Sequence, residues 1–467
     1  MQLRTAATAA ALLCGAAPAL AQQPSTPQLA PAPTLAPALV TTTALPSTPA
    51  VEAYYAARAN APIWFRDASS LAAAKLLPAI LERAPLDGLD NGPDLARQVD
   101  AALARAENPA LGATPATFLA EDKLLSAAWV QYVRALRAPV AGIVYGDPAL
   151  APQVPKPDRI LTDAARAPSL LGHVRAVAAV NPIYMGLRDA AWSQMQSGGL
   201  AADPRLLTNL QRARILPSAG RYLIVNAATA RLSMFEDGRQ VDTMKVIVGK
   251  PTTPTPMLAG TIHYATFNPY WNIPTDVARR TVAPLVLKRG VSYLRVARYE
   301  VTAGWATTET AVDPASIDWK AVAAGAADVH IRQLPGPDNM MGALKFGFVN
   351  DLGIYLHDTP HKELFGKPRR NFSLGCVRVE DARRLGAWLL GREPVPPSTD
   401  PEQNVQLEKG VPVYITYLTA QPEDGGKLAF ADDVYGRDPK TEAIAEVGLA
   451  EVKLTTIPAS VAAVTPH

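Results

Sequence analysis

The spacing of apolar residues changes near residue 220, and this change constrains the fold more than any other feature of the sequence. Before it, apolar residues recur at helical spacing, as in LAAAKLLPAILERA (71–84) and EDKLLSAAWVQYVRAL (121–136). After it they alternate: RYLIVN and ARLSMFE precede the turn pair Asp237-Gly238, which VDTMKVIVG follows. The sequence therefore predicts an α+β chain in which a helical domain precedes a mainly β domain.

The two domains are predicted to span 51–217 and 218–437, with a mixed helical and β insertion at about 275–335. Within the first domain, three more helices are predicted at 94–106, 169–180 and 204–216. Within the second, strands are predicted at 260–271, 344–350, 353–358 and 411–420, and a helix at 380–391.

The two ends of the chain have different compositions from its centre. Residues 1–21 resemble a secretory signal peptide, with Arg4 before an apolar stretch and small residues at the cleavage site. A lipoprotein signal at Cys14 is disfavoured because Leu13 stands where a small residue is wanted. Residues 22–50, rich in Pro and Ala, predict a disordered tether, and 438–467 a loosely ordered tail. We therefore expect export to the periplasm.

Composition excludes two classes of partner. The 467-residue chain has a formal charge of only +3, and its scattered basic residues give no reason to expect nucleic-acid binding. After the N-terminus there is no run of 18 or more apolar residues, so no membrane span is predicted.

The stretch IYLHDTPHKELFGKPRRNFSLGCVRVED contains two histidines four residues apart, His357 and His361. A zinc helix of this spacing needs Glu after the first His, but Asp358 stands there and Pro360 interrupts the helix. A thioredoxin-like role fails because no Cys-x-x-Cys exists. The stretch therefore predicts neither a metal site nor a cofactor.

Export would leave Cys376 as the single cysteine of the mature chain, which is unusual for an exported protein. His357, at the end of a predicted strand, could act as its base across the basic loop, and Gly375 would let a substrate approach the backbone closely. An inert buried thiol and a histidine that caps a carbonyl remain open on this reasoning.

The segments HDTP and NFSLGCVRVEDARRL closely resemble the active-site signature of YkuD-type L,D-transpeptidases, in their large, multi-domain periplasmic branch. The resemblance covers about 205–437, and the helical region resembles the scaffold domain of that branch. It implies that the insertion is a capping subdomain over the substrate channel. It also implies Cys376 as nucleophile, His357 as general base and acid, and the Gly375 and Cys376 backbone amides as an oxyanion hole.

Further residues are assigned supporting roles. Ser373 is expected to fix the turn, and Arg378 either to bind a substrate carboxylate or, as we favour, to brace the loop. The second ring nitrogen of His357 would be held by the Asp358 carboxylate or by a backbone carbonyl. His361, His330 and His263 are left as structural or exposed. Candidates for the cleft lining, with core packing as an alternative for the two aromatic residues, are Tyr355, Trp271, Asn272, Met341 and Gly342.

The implied partners are peptidoglycan stem peptides, as acyl donor and acceptor, joined in 3-3 or, as the alternative, 1-3 links. An L,D-carboxypeptidase or endopeptidase on the same fold is an alternative, and a non-catalytic wall-binding protein is disfavoured by the intact site. Two departures from the family pattern stand out. Leu374 occupies a position where many members have His, and the segment 183–205 is too short for the usual peptidoglycan-binding module.

Overall fold

The structure is a computed structural model that describes residues 48–107, 114–198, 203–306, 308–423 and 427–439. The predicted signal peptide, most of the tether and most of the tail lie outside these residues. The end of the predicted tether and the start of the predicted tail are among the described residues, and both are ordered differently from the prediction. The first helix begins at Thr48, inside the predicted tether, and Asp438 at the start of the predicted tail forms a buried ion pair with Arg212 (2.6 Å).

The N-terminal region consists of helices whose ends follow local capping rules. Asp67 begins α2 with a capping box, because its carboxylate accepts from the Ser70 N–H and the Ser70 hydroxyl accepts from the Asp67 N–H, both at 2.8 Å. The eight helices described there are α1 (Thr48–Ala56), α2 (Ala68–Glu82), α3 (Gly92–Glu107), α4 (Pro115–Leu136), α5 (Pro157–Arg166), α6 (Leu170–Ala178), α7 (Pro182–Gly198) and α8 (Pro204–Arg214).

A buried carboxylate fixes the segment between α1 and α2. Asp122 on α4 is fully buried and accepts from the backbone N–H groups of Ile63 (2.8 Å), Trp64 (2.8 Å) and Phe65 (3.1 Å). These charge-assisted bonds satisfy a carboxylate that would otherwise be costly to bury. They also hold the fully buried Trp64 against Trp129, edge to face.

The C-terminal region is built on one large sheet. Its strands are β2 (Arg221–Asn226), β3 (Arg231–Glu236), β4 (Arg239–Gly249), β5 (Met257–Phe267), β9 (Leu344–Phe348), β10 (Leu356–His357), β11 (Asn371–Ser373), β12 (Val377–Val379) and β13 (Gln403–Thr416). All of them except β11, which pairs with β4, are ordered β5-β13-β2-β3-β4-β12-β10-β9, and β9 also pairs with β5, so this part of the sheet closes on itself. Apolar side chains of these strands fill its interior.

The first hairpin of this sheet follows its sequence closely. Asp237 and Gly238 join β3 to β4 with φ of +48° and +78°. Two successive positive φ values define the type I′ turn that two-residue hairpins favour, and Asp-Gly is a preferred pair for it.

One strand of the sheet comes from the N-terminal helical region. Strand β1 (Ile143–Tyr145), between α4 and α5, pairs in parallel with Met257–Ala259 of β5, and the Gly146 N–H donates to the Ala259 carbonyl (2.8 Å). This strand is not among those predicted from the sequence. The helical region and the large sheet are therefore joined by backbone hydrogen bonds as well as by side-chain packing.

The predicted insertion has a small sheet and core of its own, and its first strand lies just before the predicted start at about residue 275. Strands β6 (Trp271–Asn272), β7 (Tyr299–Thr302) and β8 (His330–Gln333) pair in the order β6-β8-β7. Its helices pack their apolar side chains beneath that sheet. They are α9 (Thr275–Val277), a π-helical turn (Ala278–Val282), α10 (Ala283–Arg289), α11 (Ser292–Val296) and α12 (Trp319–Ala324).

The remaining elements follow the nucleophile stretch. Helix α13 (Ala382–Leu390) lies within the helix predicted at 380–391, and the hairpin β14 (Ala420–Pro422) and β15 (Leu428–Phe430) follows β13. The predicted α+β class, with helices ahead of a mainly β domain, is confirmed. None of the described helices is both long and apolar enough to cross a membrane.

Candidate active site

Strand register places the two predicted reactive side chains on the same face of the sheet. Strands β10 and β12 run parallel, with Leu356 opposite Val377 and His357 opposite Arg378. Leu356 and Val377 are fully buried in the interior core, so the alternation of a strand turns His357 and Arg378 to the other face. Cys376 immediately precedes β12 and has the same parity as Arg378. The thiol and the imidazole therefore belong to one face of neighbouring strands.

The turn that carries the thiol is closed by a serine. The Ser373 hydroxyl donates to the Cys376 carbonyl (2.6 Å) and accepts from the Gly375 N–H (3.1 Å). Gly375 has φ of +124°, and a Cβ there would lie 3.3 Å from the Ile354 side chain. The Gly375 N–H, which was predicted to be one of two oxyanion-hole donors, is therefore already bonded to Ser373 in this structure. No described residue accepts from the Cys376 N–H.

The thiol itself faces the loop between β9 and β10. Its Sγ donates to the Gly353 carbonyl at 3.5 Å. Burial raises the pKa of Cys376, and the Tyr355 N–H and the Arg378 charge only partly oppose this rise. The resting side chain is therefore a protonated thiol near neutral pH.

Asn350, which is not among the site residues predicted from the sequence, shapes that loop. Its side-chain amide donates to the Phe348 (2.9 Å) and Ile354 (3.0 Å) carbonyls, and its oxygen accepts from the Ile354 N–H (3.0 Å). These bonds fix the position of the Gly353 carbonyl that meets the thiol. An asparagine before the Asp-Leu-Gly turn is the signal that could have pointed to this role.

His357 is buried, with 4% of its surface exposed, and its Nδ1 lies 2.6 Å from the Asp358 carbonyl. A carbonyl only accepts, so Nδ1 carries the hydrogen and Nε2 keeps a free lone pair. Burial, followed by the Arg378 charge, lowers the pKa of His357 to about 4. The imidazole is therefore neutral at pH 7, and its orienter is the backbone carbonyl of Asp358.

The Asp358 carboxylate instead fixes the loop that follows His357. It accepts from the Ala343 N–H (3.0 Å) and from Lys362 Nζ (2.6 Å), and Lys362 also donates to the Glu380 carbonyl (2.9 Å). A Cβ at Gly342, where φ is +62°, would lie 2.4 Å from this carboxylate. Gly342 therefore makes room for Asp358.

Arg378 is not the loop brace that is expected from the sequence. Its Nε is buried without a hydrogen-bond partner, and no described residue forms an ion pair with its guanidinium. Arg370, which is not among the residues predicted from the sequence, holds the loop instead. It donates to four backbone carbonyls at 3.1–3.2 Å, those of Val246, Lys367, Thr229 and Ala230. The positive charge of Arg378 thus faces the site unpaired.

The candidate cleft residues are divided among three places. Tyr355, 36% exposed, borders the thiol and lies beneath Lys345 Nζ, 5.6 Å from its ring centroid. Trp271 and Asn272 form β6 of the insertion, and Met341 is buried in the turn before β9. Among the described contacts, these last three do not join the hydrogen-bonded cluster around Cys376.

The other histidines of this region are occupied elsewhere. His361 pairs with Glu363 (3.4 Å), and the His330 ring meets Trp305 edge to face, with centroids 4.5 Å apart. Within the described ranges, no group of three or more His, Cys, Asp or Glu residues is placed to hold a metal ion.

Comparison with known proteins places this site in a family. Residues 220–415 match the L,D-transpeptidase catalytic domain of the YkuD family, and residues 49–190 match a scaffold domain. A Haemophilus influenzae protein, whose own assignment as an L,D-transpeptidase is provisional, is 27% identical over 344 residues, covering 72% of this chain and 67% of the relative.

Solved structures also include similar chains. One is an L,D-transpeptidase from Mycobacterium smegmatis, with 12% identity and a TM-score of 0.22. Another is the L,D-transpeptidase LdtMt1 in complex with imipenem, with 10% identity and a TM-score of 0.21. Each match covers 42% of this chain and 58% of the other, and neither TM-score supports a structural argument. On the two domain matches, residues 220–415 are an L,D-transpeptidase catalytic domain of the YkuD family, and a scaffold domain at residues 49–190 precedes it.

Proposed function

We propose that the chain is a peptidoglycan L,D-transpeptidase that joins stem peptides by Cys-His acyl transfer through a thioester, in 3-3 or 1-3 links. The observation that carries the proposal is the shared strand face of Cys376 and His357 in a catalytic domain of this family. The orientation of the imidazole, with Nδ1 held and Nε2 free, suits a general base.

The first half-reaction acylates the thiol. Cys376 Sγ attacks the carbonyl carbon of an L,D peptide bond while its proton passes to His357 Nε2. The carbon–nitrogen bond then breaks, and the same proton leaves with the amine of the departing D-amino acid. The Cys376 N–H, which no described residue uses, would donate to the oxyanion.

The second half-reaction transfers the acyl group to a second stem peptide. The acceptor amine attacks the thioester carbon and gives its proton to His357 Nε2. Sγ leaves and regains that proton, so that the thiol and the neutral imidazole are restored. The low pKa of His357 and the raised pKa of Cys376 favour this neutral resting pair over a preformed thiolate and imidazolium.

Arg378 would bind a carboxylate of the substrate. An unpaired guanidinium that is partly removed from water is costly unless an anion reaches it. Stem peptides carry carboxylates close to the bond that is cut, and a guanidinium can bind one bidentately. We assign Arg378 to substrate recognition on this ground.

A hydrolase of the same fold, acting as an L,D-carboxypeptidase or endopeptidase, would use the same thiol and base with water as the acceptor.

The proposal also includes the domain limits 51–217 and 218–437, and the role of 275–335 as a capping subdomain. We also propose export to the periplasm after removal of residues 1–21, which N-terminal sequencing of the processed chain would check.

Incubation with purified disaccharide-tetrapeptide, followed by mass spectrometry, tests the reaction. We expect a cross-linked dimer from the wild type and none from Cys376→Ala, with His361→Ala as an active control because His361 pairs away from the site. Tripeptide monomer without dimer would favour the hydrolase. We also propose that Cys376 forms a covalent adduct with imipenem, because the carbonyl of a β-lactam ring can acylate a nucleophilic thiol. Absence of product and of adduct would refute the proposal.

A further inference from the structure

A segment far from the thiol in sequence is connected to it by hydrogen bonds. Residues 433–438, which we call the strap, follow hairpin β14–β15 and lie against the loop 250–256 between β4 and β5. That loop in turn contacts the turn of Cys376. Neither the strap nor this loop belongs to the reacting groups described above.

The loop 250–256 holds the thiol turn by its carbonyls. Thr255 is fully buried, and its Oγ1 donates to the Gly375 carbonyl (2.7 Å) while accepting from the Gly249 N–H (2.8 Å). The Ser373 carbonyl accepts from the Lys250 N–H (3.0 Å) and from Thr253 Oγ1 (3.3 Å). Both carbonyls that flank Leu374 are thus fixed from the same loop.

The strap holds the loop from its other side. The Tyr435 hydroxyl donates to the Gly249 carbonyl (2.7 Å) and lies 3.4 Å from the Thr255 N–H. The Arg437 guanidinium donates to the Thr255 carbonyl (3.0 Å). Thr255 is therefore bonded to the strap through its backbone and to the thiol turn through its side chain.

The strap is itself anchored to the helical region. Tyr435 stacks on Tyr417 of the segment after β13, with ring centroids 5.1 Å apart. Asp438 pairs with Arg212 on α8 at 2.6 Å, and each side chain is only 6% exposed. Removal of one partner from so buried a pair would leave an uncompensated charge and strongly destabilise the folded chain. The pair therefore fixes the end of the strap.

We propose that the strap positions the nucleophile: Tyr435 and Arg437 hold Thr255, and Thr255 holds the Gly375 carbonyl that sets the direction of Cys376. Thr255 and Tyr435 are positioning residues, since neither reaches the reacting atoms. The consequence for turnover rests on the proposed function, but the consequence for the thiol does not.

Alkylation of Cys376 by iodoacetamide, followed by peptide mapping, measures the position of the thiol without any transpeptidase substrate. Loss of the Thr255 hydroxyl frees the turn, so Thr255→Val should expose Sγ and raise the alkylation rate at pH 7.5 by about threefold or more. Tyr435→Phe should change it in the same direction. Thr255→Ser keeps the oxygen and should restore the wild-type rate.

Two matched variants serve as controls. Thr416→Val removes a buried hydroxyl that has no described partner, and Tyr222→Phe removes the hydroxyl of a ring that is stacked on Phe235. Neither should change alkylation. Circular dichroism and thermal midpoints establish that every variant is folded at the assay temperature.

The same variants are then compared in turnover. Displacement of the thiol should lower kcat of Thr255→Val by about 10-fold or more with little change in KM. The proposal would be overturned if folded Thr255→Val were alkylated at the wild-type rate, or if Thr416→Val raised the alkylation rate as much as Thr255→Val does. If the wild type shows no transpeptidation, the proposed function fails while the alkylation result still decides the role of the strap.

Discussion

At the scale of single residues, burial of His357 has a consequence for stability. Its pKa is lowered from 6.5 to about 4, so the unfolded chain binds a proton more readily than the folded chain. Stability should therefore be unaffected above pH 7 and fall as the pH drops from about 6.5 toward 4. The loss attributable to this residue is about 3 kcal/mol at most.

Chemical denaturation of the wild type and His357→Gln at pH 7.5 and 4.5 measures this effect. We expect the wild type to lose more unfolding free energy between the two pH values than the variant does. His361→Gln, which changes an exposed histidine four residues away, should behave as the wild type. An identical pH response in His357→Gln would show that the imidazole is not kept neutral by burial.

The unpaired guanidinium of Arg378 leads to a second prediction for a single residue. Arg378→Gln should lower kcat/KM for a donor with a free terminal carboxylate by about 10–100-fold, the effect expected for loss of hydrogen bonds to a charged group. Wild type and variant should differ little on the same donor with an amidated terminus. Arg369→Gln, which alters an exposed arginine paired with Asp432, is the control. Equal losses on both donors would mean that Arg378 supports the structure of the turn and does not bind the substrate carboxylate.

At the scale of elements, long and regular patterns could be predicted from the sequence and short ones could not. The helix predicted at 71–84 is found at Ala68–Glu82, and the Asp237-Gly238 hairpin has its expected conformation. Strand β1 has three residues, too few for alternation to be recognised, and its pairing depends on β5 more than 100 residues later. Its existence is therefore a tertiary effect.

Within the candidate site, the same distinction separates side chains from their partners. Residue types and the family resemblance indicated Cys376 and His357, and the structure brings both to one strand face. Which groups accept from His357 Nδ1 and from the Gly375 N–H could not be predicted, because the choice of acceptor depends on distances of a few ångströms in the folded chain. Arg370 and Arg378 have the same chemistry in sequence, and only the fold decides which one is satisfied.

At the scale of the whole molecule, the scaffold and catalytic regions share a sheet, and the connection reaches the loop beside the thiol. Gly146, directly after β1, is packed against that loop: a Cβ there would lie 1.9 Å from the Val349 carbonyl. Asn350 follows Val349, and its side chain accepts from the Ile354 N–H. This bond helps to fix the Gly353 carbonyl, which accepts from Cys376 Sγ. The two regions should therefore unfold together.

Gly146→Ala tests this connection in the full chain. The added methyl group must displace a backbone carbonyl, which should cost about 1–3 kcal/mol of unfolding free energy. Gly172→Ala, whose Cβ would meet only the Ser169 side chain at 3.5 Å, should be neutral or slightly stabilising because it replaces a helical glycine. Calorimetry should show one transition for the wild type and both variants, with a lower midpoint for Gly146→Ala. Two separate transitions in the wild type, or equal midpoints for the two variants, would mean that β1 does not join the regions into one cooperative unit.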